Sequence, residues 1–239
     1  MSGQLTNGQD ATELPLHVTA QVGTGHYLGV YPATVSDNQD PSNQGRVQVH
    51  LPWTADDSDR YEVWARLATM MAGGNRGTWF VPDIGDEVLV CFQGGDPRWP
   101  IVIGALWNGH DDPPETMDSD NNIKAIVSRT GIKITLDDTS GAVTLTLQTP
   151  GGQQVTMADA GSSITVEDSN GNSCELSPSG ITLTSASNLS ISATSANISI
   201  PTVNVDSAMW TYSGVVQVET LISDAVVSAS YTPGVGNIW

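Results

Sequence analysis

Basic residues are scarce in this 239-residue chain: 8 Lys and Arg stand against 26 Asp and Glu, a formal net charge of −18. Such an imbalance argues against a nucleic-acid backbone or an anionic lipid surface as the main partner, because both would repel it. Apolar residues make up only 38% of the chain, so something beyond a single packed interior has to hold it together. Cysteine is limited to Cys91 and Cys174, which fall in parts of the sequence with different character, and no disulfide framework is expected. Residues 1–13 lack the basic start and apolar run of a secretory signal. No stretch approaches the ~20 apolar residues that cross a bilayer. Synthesis and folding in the cytoplasm, without a signal peptide, are the expectation.

What is present is unevenly spread. All eight basic residues lie between Arg46 and Lys133, whereas the sequence from Ile134 onward carries nine Asp or Glu and no cation. Trp53, Trp64, Trp79, Trp99 and Trp107 fall in the first half, and only Trp210 and Trp239 lie later. A compact domain with aromatic packing is therefore expected to precede a region built of Ser, Thr, Asn, Gly and β-branched residues. The boundary is expected at His110-Asp-Asp-Pro-Pro-Glu115, where paired prolines interrupt helix and sheet ladders alike. The expected division is an N-terminal segment over 1–25, a barrel over 26–110, a linker over 111–122 and a shaft with its tip over 123–239.

Within the first domain, runs at 27–35, 46–51, 63–68, 87–92 and 101–107 read as short strands, separated by turn signals such as Asp40-Pro41 and Gly73-Gly74. Arg46-Val-Gln-Val-His-Leu51 alternates polar and apolar, as a half-buried strand does. Val88-Leu-Val-Cys-Phe92 is apolar throughout and is expected to be covered on both faces. Five strands without a helical pattern predict an OB-type barrel.

The later region is a succession of very short alternating pieces: 132–136, 143–147, 181–183, 189–191, 198–200 and 203–205. Ile191, Ile198 and Val205 recur every seven residues, but the Ser, Thr and Asn between them, the strand-like alternation inside the spacing and Pro201 exclude a coiled coil. The pattern is that of a β-repeat in which each strand is one rung. A rung offers only two or three modest apolar side chains, so a lone chain would leave edges and apolar faces in water. Three copies wound about one axis would close a narrow dry core. A single-chain parallel β-helix is the alternative. In the wound arrangement Ile181, Leu183, Ile191, Ile198, Ile200 and Val205 are expected to form the shaft core.

No catalytic or metal constellation emerges. Asp37, Asp40, Asp56, Asp57 and Asp59 sit among Asn, Pro, Ser and Gln as turn residues do. His17, His26, His50 and His110 lack metal-ligand spacing, and His50 is expected on an exposed strand face. Cys91 reads as buried filler. Nucleophile-elbow, phosphate-loop and zinc-hydrolase motifs are missing, so no enzyme, cofactor or metal is expected. An oligonucleotide-binding barrel, with Arg46, Arg60, Arg66, Arg76 and Arg98 along a groove, is one alternative reading, although nearby carboxylates would cancel its field. A fibrous adhesin stalk is another.

Several motifs in combination carry a family resemblance. They include Tyr31-Pro-Ala-Thr-Val35, Gly45-Arg-Val-Gln-Val49, Leu51-Pro-Trp53, Gly77-Thr-Trp-Phe80, Gly85-Asp-Glu-Val-Leu-Val90, Gly95-Asp-Pro97 and Ile103-Gly-Ala-Leu-Trp-Asn-Gly109. This run resembles the OB-fold domain of baseplate spike proteins from contractile phage tails, type VI secretion spikes of the valine-glycine-repeat class and phage-tail-like injection particles. Ser128-Arg-Thr-Gly131, Ile134-Thr-Leu-Asp137 and the repeats resemble the start and shaft of their trimeric β-helix. The resemblance implies an all-β protein, an OB barrel followed by an intertwined trimeric shaft. Its role would be that of a homotrimeric needle in the baseplate of a phage-tail-like particle, touching the target membrane only transiently. About 25 residues precede the barrel, so a separate hub protein is expected above it, with residues 1–25 extended or hub-contacting. There is no room for a lysozyme-like insert between Gly109 and Asn121. No histidine follows His110, so a metal-sharpened apex would have to come from a separate tip protein of the proline-alanine-alanine-arginine (PAAR) type. Tyr231, Ile238 and Trp239 are the candidates for docking it.

Overall fold

A computed structural model describes residues 26–52 and 61–229. The expectations for residues 1–25, for Trp53, Asp56, Asp57, Asp59 and Arg60, and for Tyr231, Ile238 and Trp239 lie outside the described residues. The chain divides into two units, 1–187 and 188–239.

The first unit begins with the strands β1 (Val30–Asp37), β2 (Arg46–His50) and β3 (Glu62–Leu67). A small hairpin of β4 (Ala72–Gly73) and β5 (Arg76–Gly77) follows, then β6 (Glu87–Phe92) and β7 (Pro100–Ala105). Five of these close into a barrel in the order β1-β2-β3-β7-β6, with β3 and β7 parallel and all other neighbours antiparallel. This is the OB-type arrangement expected from the strand pattern. Alternation decides what fills it. Val47 and Val49 of β2, Val88, Val90 and Phe92 of β6, and Ala33 and Val35 of β1 are buried in one cluster. Each fully buried Val or Leu contributes about 1.5–3 kcal/mol. Tyr27, Tyr31 and Phe92 plug one end, with ring centroids 5.7 to 5.9 Å apart.

The run 88–92 is covered on one face only: Leu89 and Cys91 are half-buried. Five strands closed on themselves have a single inner face, and the outward side chains of β6 keep part of their surface in solvent. His50, too, is half-buried rather than exposed.

Beyond β7 the chain turns about Asn108, whose Oδ1 accepts from the His110 and Asp111 amides at 2.8 Å. The next strand begins at Ile123. Seven five-residue strands then form an antiparallel meander: β8 (Ile123–Val127), β9 (Lys133–Asp137), β10 (Thr144–Gln148), β11 (Gln154–Ala158), β12 (Ser163–Glu167), β13 (Ser173–Ser177) and β14 (Gly180–Thr184). Three turns along one edge share a five-residue plan. In each, the first residue's carbonyl accepts from a glycine amide three positions on, and its amide donates to the carbonyl four positions on. Gly131, Gly152 and Gly171 hold the left-handed φ of 89°, 84° and 87° that this plan requires.

The second unit contains no strand among its described residues, and Leu189–Ile191, 198–200 and 203–205 are exposed. The rungs expected there do not ladder among the described residues. A three-residue extended piece holds its backbone bonds only when a neighbour supplies the other half of the ladder.

Candidate functional site

The seven-stranded sheet has no buried residue on either face. Its register nevertheless sorts side chains sharply. Thr135 stands opposite Thr146, Thr146 opposite Thr156, and Thr156 opposite Thr165, a threonine ladder along the middle of one face. The other face carries two apolar rows. One runs Leu136, Leu145, Met157, Ile164, Leu176, Ile181, each directly opposite the next. The second runs Ile126, Ile134, Leu147, Val155, Val166, Cys174, Leu183. Cross-strand neighbours at ~4.5–5.5 Å between Cβ atoms make each row continuous. Only Lys124 interrupts the face, at its start. Its Nζ turns away to the Asn121 carbonyl at 2.6 Å and to Asp138 at 3.0 Å.

A two-row apolar face spanning seven strands is too large to leave in water. At half of the ~1.5–3 kcal/mol for burying one such side chain, the two rows supply roughly 10–20 kcal/mol per chain, of the same order as the roughly 4–15 kcal/mol that association costs. Ile181 and Leu183 sit at the end of the two rows, 75% and 56% exposed in the single chain. Ile191, Ile198, Ile200 and Val205 are exposed as well and lie in the second unit, outside this sheet.

The barrel adds a second apolar surface that sequence reasoning missed. Met70, Met71, Trp79 and Phe80 flank the β4–β5 hairpin and project into solvent around an open hollow of about 1110 Å³. The signal was there in Met70-Met71 and Trp79-Phe80 on either side of a glycine-rich turn.

Three of the arginines considered for oligonucleotides, Arg46, Arg66 and Arg98, line one cleft, while Arg76 lies on β5. Two of the three are spoken for. Arg46 grips Asp40 through Nε and Nη2 at 3.2 and 2.8 Å and lies 5.7 Å from the centre of the Trp64 ring. Arg98 grips Asp96 at 2.6 Å. The Arg46 guanidinium, helped by the amides of Ser42 and Gln44, holds the Asp40 carboxyl far below the usual carboxylate range. Arg98 lowers Asp96 to about 2. Both acids thus stay charged and cancel their arginines, which leaves little field for a phosphate backbone. The acidic turn residues behave as expected: Asp37 accepts from the Gln39 amide and Asp40 organises its own turn. Among the described residues no group of three or more His, Cys, Asp or Glu stands close enough to hold a metal ion.

Comparison with known proteins accounts for both halves. Residues 31–107 match the family described as the type VI secretion system/phage-baseplate injector OB domain. Residues 144–210 match the phage baseplate V C-terminal trimerisation domain. The chain is 30% identical over 135 residues to the type VI secretion system spike protein VgrG3 of Vibrio cholerae, an alignment covering 53% of this chain and 13% of that protein. It is 31% identical over 121 residues to the spike protein VgrG1b of Pseudomonas aeruginosa, covering 46% and 16%. Identity to the actin cross-linking toxin VgrG1 of Vibrio cholerae is 36% over 75 residues, covering 30% and 7%. The chain therefore spans less than a fifth of the length of each of these relatives. The trimerisation match begins at β10 and runs through the apolar rows into the second unit. An injector OB barrel followed by a baseplate trimerisation domain, on a chain similar to secretion spikes of two species, supports a VgrG-like baseplate spike protein.

Proposed function

We propose that the chain is the homotrimeric central spike of a phage-tail-like baseplate, a non-enzymatic needle that joins a separate hub and inner tube to a separate tip protein and is driven through the target envelope when the sheath contracts. The observation that carries this reading is the double apolar row on β8–β14, which overlaps the matched trimerisation domain and has no buried member among the described residues. Three copies facing inward bury it on all sides, while the threonine ladder and the acids remain outside. The rungs over 189–191, 198–200 and 203–205 continue the shaft, with Ile191, Ile198, Ile200 and Val205 turned to the axis.

The acidic surface matches the role. A chain with no cation after Lys133 stays soluble and does not adhere to the anionic lipids it passes. The tip partner is a small cone-shaped protein of the PAAR type, docked by Tyr231, Ile238 and Trp239. Light scattering on the gel-filtered protein tests the assembly: a mass of three times the 25.1 kDa chain is expected, and a stable monomer overturns the reading. Deleting residues 231–239 should leave that trimer intact while abolishing capture of the tip protein.

A further inference from the structure

The segment that joins β3 to β6 folds into the β4–β5 hairpin and leaves an open hollow of about 1110 Å³ on the barrel. Met70, Met71, Trp79 and Phe80 stand around it, 51% to 90% exposed. Aromatic side chains and methionine are enriched where proteins meet, and four of them gathered at one hollow are more than the scattered apolar residues of an ordinary surface. Arg76 is the one charged residue in the lining, and it makes no ion pair among the described residues. Residues 68–81 as a whole carry that single cation and no Asp or Glu. The surface that fits the hollow is thus apolar at its centre and acidic around it.

This chain carries such a surface itself. Residues 106–120, which lead from β7 to β8, hold five Asp or Glu and no Lys or Arg. Trp107 and Met117 project from them, 69% and 94% exposed. None of these residues lines the hollow of its own copy. The two surfaces are nevertheless fixed to the same end of the seven-stranded sheet. Asp83, three residues beyond Phe80, bonds Arg129 in the turn after β8, and Glu115 bonds Lys133 at the start of β9. The apolar rows begin on these same two strands, so assembly through the rows sets the hollow of one copy and the linker of another at one level of the axis.

We propose that the hollow of each barrel receives the linker of the next copy in the trimer, with Met117 of that copy seated among Met70, Met71, Trp79 and Phe80 and its neighbours Asp118 and Asp120 turned toward Arg76. Methionine is unbranched and adaptable, which suits an irregular hollow, and its sulfur gains from contact with the two aromatic rings. Threefold symmetry makes the contact heterologous, hollow against linker, and three such contacts close into a ring. The contact rests on the homotrimeric reading: the shaft assembles the copies, and the ring locks their barrels together.

Oxidation by dilute hydrogen peroxide, read methionine by methionine in the full-length protein by mass spectrometry, is the test. Met70 and Met117, 90% and 94% exposed in a single chain, should react at least about tenfold more slowly in the assembled protein than in the urea-unfolded chain. Arg76→Glu should return both toward the unfolded rate, and Arg76→Lys should keep the protection. Reaction of both at the unfolded rate in a trimer of confirmed mass overturns the contact. Protection of Met70 with Met117 left reactive overturns it too, because another surface then fills the hollow. A cross-link gives a second reading. With Cys91 and Cys174 replaced by alanine, Met117→Cys is combined with Met70→Cys or Phe80→Cys and treated with a short bismaleimide. Bands of two and three chains are expected on a denaturing gel from the pairs and not from the single-cysteine proteins. Links within one chain only, or none in either pair, overturn docking on the next copy. Light scattering on the same samples keeps the two readings apart: a monomer sinks the trimer and the ring with it, whereas a trimer lacking both signals sinks the ring alone.

Discussion

Arg129 Nη1 lies 3.0 Å from Asp83 Oδ1, a bond that ties the first turn of the seven-stranded sheet to the loop leading into β6 of the barrel. A second tie joins Lys133 Nζ to Glu115 Oε1 at 2.5 Å, between the first residue of β9 and the stretch that follows the barrel. The two ties are not equivalent. The Arg129 side chain is largely exposed, whereas Glu115 Oε1 is itself out of contact with solvent and faces the Lys133 ammonium. Asp83→Ala should therefore cost about 0–1 kcal/mol. Lys133→Ala, which leaves a covered carboxylate oxygen unpaired, should cost roughly 1–3 kcal/mol, recovered in part by adding Glu115→Gln. Thermal melts of the single and double variants give both numbers.

The carboxyls of Asp40, Asp96 and Asp168 are all held below their ordinary range, chiefly by hydrogen bonds from the side chains of Arg46, Arg98 and Asn172 respectively. A depressed folded-state pKa means that the unfolded chain binds protons more readily. Their contribution is thus fully present above an ordinary Asp pKa near ~4 and fades as pH falls toward about 2, the folded value for Asp96. The melting temperature should be flat from neutral pH to about 5 and then drop. Asp96→Asn should lower the plateau and shallow the drop, because that side chain no longer titrates. A drop of unchanged depth in the variant would assign the acid sensitivity to other groups.

Opposite faces of the sheet make opposite predictions. Ile164 lies in an apolar row and Thr165 in the threonine ladder of the same strand. Ile164→Asp in the trimer would place three carboxylates against the dry interface, an uncompensated burial that should disperse the assembly at micromolar concentration. Thr165→Asp should leave the mass unchanged. The same contrast applies in the second unit, with Ile198→Asp disruptive and Ser199→Asp tolerated. Equal behaviour of the two substitutions at either level would show that the core runs along the other face.

The barrel was legible because its strands alternate: Arg46-Val-Gln-Val-His50 announces which side chains point inward. The β4–β5 hairpin was not, since Ala72-Gly73 and Arg76-Gly77 carry no apolar pattern and their pairing rests on the turn alone. β11 and β12 do alternate, as Gln-Val-Thr-Met-Ala and Ser-Ile-Thr-Val-Glu, and went unread amid turn-rich neighbours. β8 and β13 were masked by Lys124 on the apolar face and by the weakly apolar Cys174. The double row could not be read from one strand at a time. It exists only because every hairpin register places Ile, Leu, Val or Met opposite its like, and register is a property of pairs. Rungs beyond Thr184 were visible as pattern but find no strand partner among the described residues.

The turns themselves make the last prediction. Gly141 and Gly152 both adopt left-handed φ, 77° and 84°, but a Cβ at Gly141 would meet open space whereas one at Gly152 would come within 3.2 Å of Ser169 Cβ in the next turn along the edge. Gly171 stands in the same relation to Ala186, at 3.7 Å, and the Ala186 amide donates to Asn172 Oδ1 at 2.9 Å. Turns on this edge are thus stacked on one another. Gly141→Ala carries the cost of the left-handed backbone alone, about 1 kcal/mol. Gly152→Ala adds a contact tighter than side chains normally make, and relieving it requires the Asp168 turn to shift. That turn is braced by four hydrogen bonds onto the Asp168 carboxylate, from the amides and side-chain nitrogens of Asn170 and Asn172. A braced neighbour yields poorly, so Gly152→Ala should cost roughly 1–3 kcal/mol more than Gly141→Ala. Replacing Asn172 by Ala should narrow that gap by loosening the brace. Matching melting temperatures for the two glycine variants would mean that the turns do not support one another and that the stiffness of this edge comes from the strand ladder alone.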